Sequence, residues 1–98
     1  MSQQLTLVAK LRAKPGMESR VIEVFGALRT PTHKEDGCVY YEFHQSIENP
    51  REFLFYENWT SAAHLDVHLK TPHVQAAFKA VPEILDGPIE LTKWTMLP

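Results

Sequence analysis

The chain has 98 residues, a formal charge of −2 and a pI near 6.2, which leaves room for one hydrophobic core, so a single domain over residues 1–98 is predicted. That charge gives no electrostatic basis for binding nucleic acid or an anionic membrane, and no apolar run approaches the ~18 residues needed to span a bilayer. Cys38 is the only cysteine, which excludes an internal disulfide, and the polar Met-Ser-Gln-Gln start does not resemble a signal peptide, so a cytoplasmic protein is expected.

Leu5, Leu7, Ala9, Leu11 and Ala13 alternate with polar or less apolar neighbours, the period of a strand with one apolar face. Pro15-Gly16 breaks it. Val21, Val24, Phe25 and Leu28 then mark an amphipathic helix that Pro31 kinks or ends. After the polar turn Lys34-Glu35-Asp36-Gly37, a long strand runs from Cys38 to Ile47, with Val39, Tyr41 and Phe43 on one side and Tyr40, Glu42 and His44 on the other. Asn49-Pro50 turns the chain, and Phe53 to Trp59 is strand again, dense in aromatics.

Ser61 is a good N-cap for a short helix that turns Ala62, Leu65 and Leu69 inward, and Thr71-Pro72 looks like a second start with proline at the first helical position. Val74, Ala77, Phe78 and Val81 supply that second piece with its buried stripe. Gly87-Pro88 stops it, and Ile89 to Met96 forms the last strand. The order β-α-β-β-α-β, with the second helix in two pieces, is the ferredoxin-like plan of the α+β class: a four-stranded antiparallel sheet with helices on one face. Its other face carries aromatics, and a homodimer packed sheet against sheet is the simplest cover.

The stretch from Glu57 to His73 is the densest in chemistry. It delivers a carboxylate, the Trp59 indole and the imidazoles of His64, His68 and His73 to one corner of the domain. Aromatic walls plus a titratable ring suit a pocket for a flat organic molecule, while the plainer alternative makes Trp59 core and the histidines wet surface. There is no phosphate-binding glycine loop and no dinucleotide fingerprint, so no nicotinamide or flavin is expected.

With these residues placed, the chain resembles the antibiotic biosynthesis monooxygenase family, especially its small quinol-monooxygenase-like members. The resemblance rests on Lys14-Pro15-Gly16, Glu35-Asp36-Gly37-Cys38 with Tyr41-Glu42, Phe53 with Glu57-Asn58-Trp59, and His64-Leu65 through His68-Leu69-Lys70-Thr71-Pro72-His73. It implies a dimeric α+β barrel built from ferredoxin-like protomers, with a pocket between sheet and helices in each. Relatives include oxygenases of phenolic or anthrone-like aromatics that use neither metal nor flavin, haem degraders, and proteins that process a small phosphorylated signal. The chain departs from the haem-degrading pattern, having Ala9 and Phe78 where those relatives carry an Asn and a haem-ligating His.

For a metal-free oxygenase the protein must supply a base, a pocket that stabilises the deprotonated substrate, and exclusion of water. His68 is the predicted base, at a partly exposed helix end; the competing reading is a histidine satisfied there by a backbone carbonyl. Trp59, Glu57, Tyr41, Phe78 and His73 form the predicted substrate pocket, with Trp59 and Tyr41 able to stack on a flat ring and Glu57 able to orient an imidazole. Glu42 and His44 read as dimer-interface polars, and Cys38 as a structural thiol. His64 and His68 at i, i+4 can share a helix face as two metal ligands would, but His73 lies past the proline break, so no metal is expected. No cofactor is predicted; the partners are a small aromatic substrate, O2 and a second copy of the chain. The alternatives are an isomerase or tautomerase of a small carbonyl compound, with Lys10, Arg12, Arg20, Lys70 and Lys93 as candidate phosphate donors, and a non-catalytic protein that binds an aromatic metabolite.

Overall fold

A computed structural model describes residues 4–98; the polar Met1–Gln3 start lies outside the described residues. The chain runs β1 (Leu5–Arg12), α1 (Glu18–Gly26), α2 (Arg29–His33), β2 (Cys38–Gln45), β3 (Glu52–Trp59), α3 (Ala62–Leu69), α4 (Pro72–Lys79), α5 (Val81–Ile84) and β4 (Glu90–Thr95). The strands form one antiparallel sheet in the order β2-β3-β1-β4, which is the ferredoxin-like arrangement. Among the described residues no helix is long and apolar enough to cross a membrane.

Strand parity decides which residues meet the helices. Leu7, Ala9 and Leu11 of β1 and Phe53, Phe55, Glu57 and Trp59 of β3 share the covered face and are buried. Val21 and Phe25 of α1, Leu65 and His68 of α3, and Val74 and Ala77 of α4 are the buried helix residues around it. On the opposite face Tyr40 and Tyr56 meet edge to face at 5.5 Å and remain exposed, as does Trp94 of β4.

Two local departures from simple patterning follow from backbone chemistry. The first helix divides at Ala27–Leu28, one turn before Pro31, because Pro31 has no N–H to donate to the carbonyl four residues back. In β2 the expected placing of Val39, Tyr41 and Phe43 on one side fails at its first member. A β-bulge shifts the register, so Cys38 pairs with Trp59 and Tyr40 with Asn58, and Val39 is 50 % exposed. The strand ends at Gln45 rather than Ile47, since Ser46 Oγ accepts from the backbone N–H groups of Glu48 and Asn49 and begins the turn.

Caps at Ser61 and Thr71 form as the sequence predicts: Ser61 Oγ accepts from His64 N and Thr71 Oγ1 from Val74 N. Gly37, with φ +83°, lies against His64; a Cβ there would stand 2.3 Å from the His64 Cγ. Gly16 has the same φ and open space around it. Gly16→Ala should therefore cost only the strain of a left-handed backbone, about 1–2 kcal/mol. Gly37→Ala should cost that plus about 1–3 kcal/mol for displacing the His64 ring. Urea denaturation of the two variants side by side measures the difference, and equal costs would show that the His64 contact carries no weight.

Candidate functional site

The site is built where the turn before β2 meets the junction of α3 and α4. Glu35 is held by its backbone, its N–H donating to Thr32 O at 3.0 Å and its carbonyl accepting from Cys38 N at 3.3 Å. Gly37 supplies the positive φ that this turn needs before the chain enters β2. One oxygen of Glu35, Oε2, lies 2.8 Å from His68 Nδ1 and 2.7 Å from His73 Nε2. A carboxylate can only accept, so both ring nitrogens donate to the same oxygen, and this fixes the tautomer of each neutral imidazole. The other oxygen, Oε1, is buried with no partner.

His68 is 2 % exposed, so it is not the half-solvated helix-end residue that its position suggests. Its ring lies between Trp59 at 4.6 Å and Tyr41 at 5.3 Å between centroids. Burial pushes its pKa below the usual imidazole value, against the opposing pull of Glu35. With Nδ1 committed to Glu35, no protein group among the described residues pairs with Nε2.

His68 forms part of the wall of an apolar cavity between the sheet and the helices, with Tyr41, Glu57, Phe78, Leu69 and Leu91 among its other lining residues. Four of the six residues predicted for the site therefore converge: His68, Tyr41, Glu57 and Phe78. Trp59 is wholly buried behind the wall and does not line the cavity, so its face is taken by packing on His68. His73 also stands outside, against Glu35. The carboxylate that orients the imidazole is Glu35, not Glu57. Glu57 instead accepts from Trp59 Nε1 at 2.9 Å, and burial pushes its own pKa up to about 7. Burial likewise raises the Tyr41 phenol and takes the Cys38 thiol up to about 11.

Other side chains fall elsewhere. Glu42 is gripped by Arg29 at 2.7 and 2.9 Å and by His33 at 3.3 Å. His64 turns to Ser61 and Thr60 at 2.7 and 3.0 Å. The expectation that His73 is cut off by the proline break does not hold. Pro72 starts α4 in a direction that returns His73 to His68, with ring centroids 6.2 Å apart. The donor atoms of Glu35, His68 and His73 all lie within 4.8 Å of one another. Glu35 is the member of this cluster that patterning missed. Its partners are 33 and 38 residues away, and a charged residue in a polar turn carries no periodic signal.

Residues 4–80 match the family model for antibiotic biosynthesis monooxygenase. The chain belongs to that family. Among its relatives is the Escherichia coli K12 protein named probable quinol monooxygenase YgiN, 35 % identical over 79 % of this chain and 84 % of its own length. The Synechocystis protein sll1783 is 28 % identical over 89 % of this chain, which spans 59 % of the length of that relative. Among solved structures, PA3566 from Pseudomonas aeruginosa superposes with a TM-score of 0.94 at 28 % identity, covering 100 % of this chain and 98 % of that one. Rv0793 from Mycobacterium tuberculosis gives 0.90 at 28 % identity over 97 % and 96 % of the two chains. These likenesses support a monooxygenase and the ferredoxin-like fold.

Glu57 gives a test of the buried carboxyl that does not require a substrate. Its folded pKa lies near 7, above the ordinary value of 4.5, so the native state holds its proton where the unfolded chain has lost it. The stability this contributes is complete below about pH 4.5 and is lost as pH rises through 7. Glu57→Gln, which keeps an oxygen for Trp59, removes that dependence. Above pH 7 the variant should be more stable than wild type by roughly 1–3 kcal/mol. The difference between the two proteins should shrink as pH falls from 7 to 4.5, as read by chemical denaturation at several pH values.

Proposed function

We propose that the protein is a cofactor-independent oxygenase of small electron-rich aromatics, quinols or related polyphenols, with His68 as the base. The observation that carries this reading is the fixed imidazole. Glu35 ties Nδ1, so Nε2 is the accepting nitrogen, on a ring that forms part of an apolar cavity wall. The arrangement parallels the carboxylate–histidine pairs that hold a general base in the correct tautomer.

Triplet oxygen reacts slowly with closed-shell organic molecules unless the substrate gives up one electron at a time. Nε2 takes a proton from the substrate, and the resulting anion passes one electron to O2. The radical pair couples to form a C–O bond, giving a peroxide anion that takes a proton from solvent to become the hydroperoxide. Cleavage of the O–O bond then leaves a carbonyl on the ring. The hydroxide that departs takes the proton held by His68, and the carbon loses its remaining hydrogen to solvent. One oxygen atom enters the product and the other leaves as water; the substrate loses two hydrogens, gains a carbonyl oxygen and so supplies all four electrons that O2 accepts. Glu57, about half protonated at neutral pH, lines the same cavity, and in its protonated form it would donate a hydrogen bond to the developing oxyanion.

The cavity encloses about 30 Å³, room for O2 or a water but not for an aromatic ring. Substrate entry therefore moves part of the wall, and the half-buried Phe78 and Leu69 and the exposed Leu91 are the parts that can yield. No lysine or arginine lines the cavity, and Arg12 and Arg20 are paired with Glu52 and Glu23. That supports a neutral aromatic over a phosphorylated substrate. The exposed Tyr40, Tyr56 and Trp94 on the outer sheet face support a homodimer packed through that face.

Oxygen uptake over a panel of quinols tests the reading. His68→Ala should abolish consumption above autoxidation while the protein remains folded. Glu35→Ala should lower kcat by about 10²-fold or more, since it removes the acceptor that sets the tautomer. Trp59→Ala is the stability control, costing ~3–5 kcal/mol as a buried aromatic and reducing activity in step with folded protein. Full activity in His68→Ala would remove the proposed base, and turnover persisting under strict anaerobiosis would transfer the site to an isomerase.

A further inference from the structure

Glu35, His68 and His73 do more than hold one imidazole. Two ring nitrogens and a carboxylate oxygen, drawn from three separate segments, gather behind the cavity wall within 4.8 Å of one another. Two histidines and one carboxylate is the donor set of many open zinc sites. We propose that these three residues form a binding site for a first-row divalent cation of the Zn²⁺ type, and that filling it silences His68 as a base.

One observation points to an ion in addition to the hydrogen bonds, and the hydrogen bonds themselves pre-orient the donors. Glu35 Oε1 is buried and unpartnered, so the carboxylate has an unused acceptor that the two imidazoles do not reach. Both donor rings are pre-oriented on one point, since His68 Nδ1 and His73 Nε2 address the same oxygen at 2.8 and 2.7 Å. With ion–donor distances of about 2.0–2.2 Å, donors around a tetrahedral ion stand about 3.4 Å apart, so the nitrogens must withdraw from Oε2 by roughly half an ångström. His73 is in the first turn of α4 and Glu35 is in a turn, so neither displacement crosses a core element.

The inhibitory half rests on the oxygenase reading above. To bind an ion, Nδ1 of His68 must present its lone pair, so the ring proton moves to Nε2. His73 makes the reverse exchange from Nε2 to its other nitrogen, and no net proton is released. Nε2 of His68 then donates instead of accepting and can no longer take a proton from a substrate. Neither Glu35 nor His73 lines the cavity, so the ion acts through the His68 ring and not on the substrate.

Calorimetric titration of chelator-treated protein with Zn²⁺ tests the site without any substrate. One ion per chain is expected, and His73→Ala and Glu35→Gln should each weaken it by at least about 10-fold. Co²⁺ replaces these variants should they fold poorly, because the wild-type protein should convert it from the pale six-coordinate aqua ion to an intense four- or five-coordinate visible spectrum. Absence of binding, or binding unchanged in His73→Ala because other surface histidines hold the ion, overturns the site and leaves the base assignment intact. Once a quinol substrate is in hand, Zn²⁺ should suppress turnover and a chelator restore it. Tight binding with undiminished turnover overturns the silencing role.

Discussion

A single carboxylate oxygen receiving two imidazole N–H groups is the constraint on which the rest of the site depends. Oε2 of Glu35 joins the turn before β2 to the end of α3 and the start of α4, segments that no backbone ladder connects. Charge-assisted hydrogen bonds of this kind are stronger than neutral ones, and inside a protein they lose little to screening. They also decide which nitrogen of His68 is left over, and therefore which way the ring can act. Without them His68 would be a buried imidazole free to choose its tautomer.

The electrostatics of the cavity follow from what stands behind it. Glu57 and His68 both line it, and burial disfavours the charged form of each, raising one pKa and lowering the other. Near neutrality the wall thus offers an acid and a base, while the Glu35 carboxyl group sits one layer back against the His68 ring. On the oxygenase reading, the anion formed by proton transfer would meet donors already fixed in the cavity wall, which is where they act most effectively.

Much of this was legible in the sequence, and for physical reasons. The period-two runs of β1 and β3, the caps Ser61 and Thr71, and the proline at the first position of α4 act locally, so local pattern exposes them. That His68, Tyr41, Glu57 and Phe78 come to one cavity was legible because they fall on the covered faces of regular elements. Glu35 was not, since turns carry no period. The role of Trp59 was misjudged because a ring's burial depends on what covers it: here His68 takes the face a ligand would have used. His73 was discounted on the premise that a proline break separates what it interrupts, whereas the break reverses the chain and brings the two rings together.

The bulge at Val39 has a consequence beyond one misplaced side chain. An alternating strand can serve only one parity, yet here Cys38 and Tyr41, three residues apart, both face the helices. The extra residue changes the phase of the chain between the sheet and the turn that carries Glu35. A strand advances about 3.3 Å per residue, more than any hydrogen bond can stretch. The meeting of Glu35 with its two imidazoles is therefore sensitive to the length of the chain at this point and much less so to the identity of the residue there. Val39 can be exchanged for most side chains, but it cannot be omitted without moving the carboxylate out of reach.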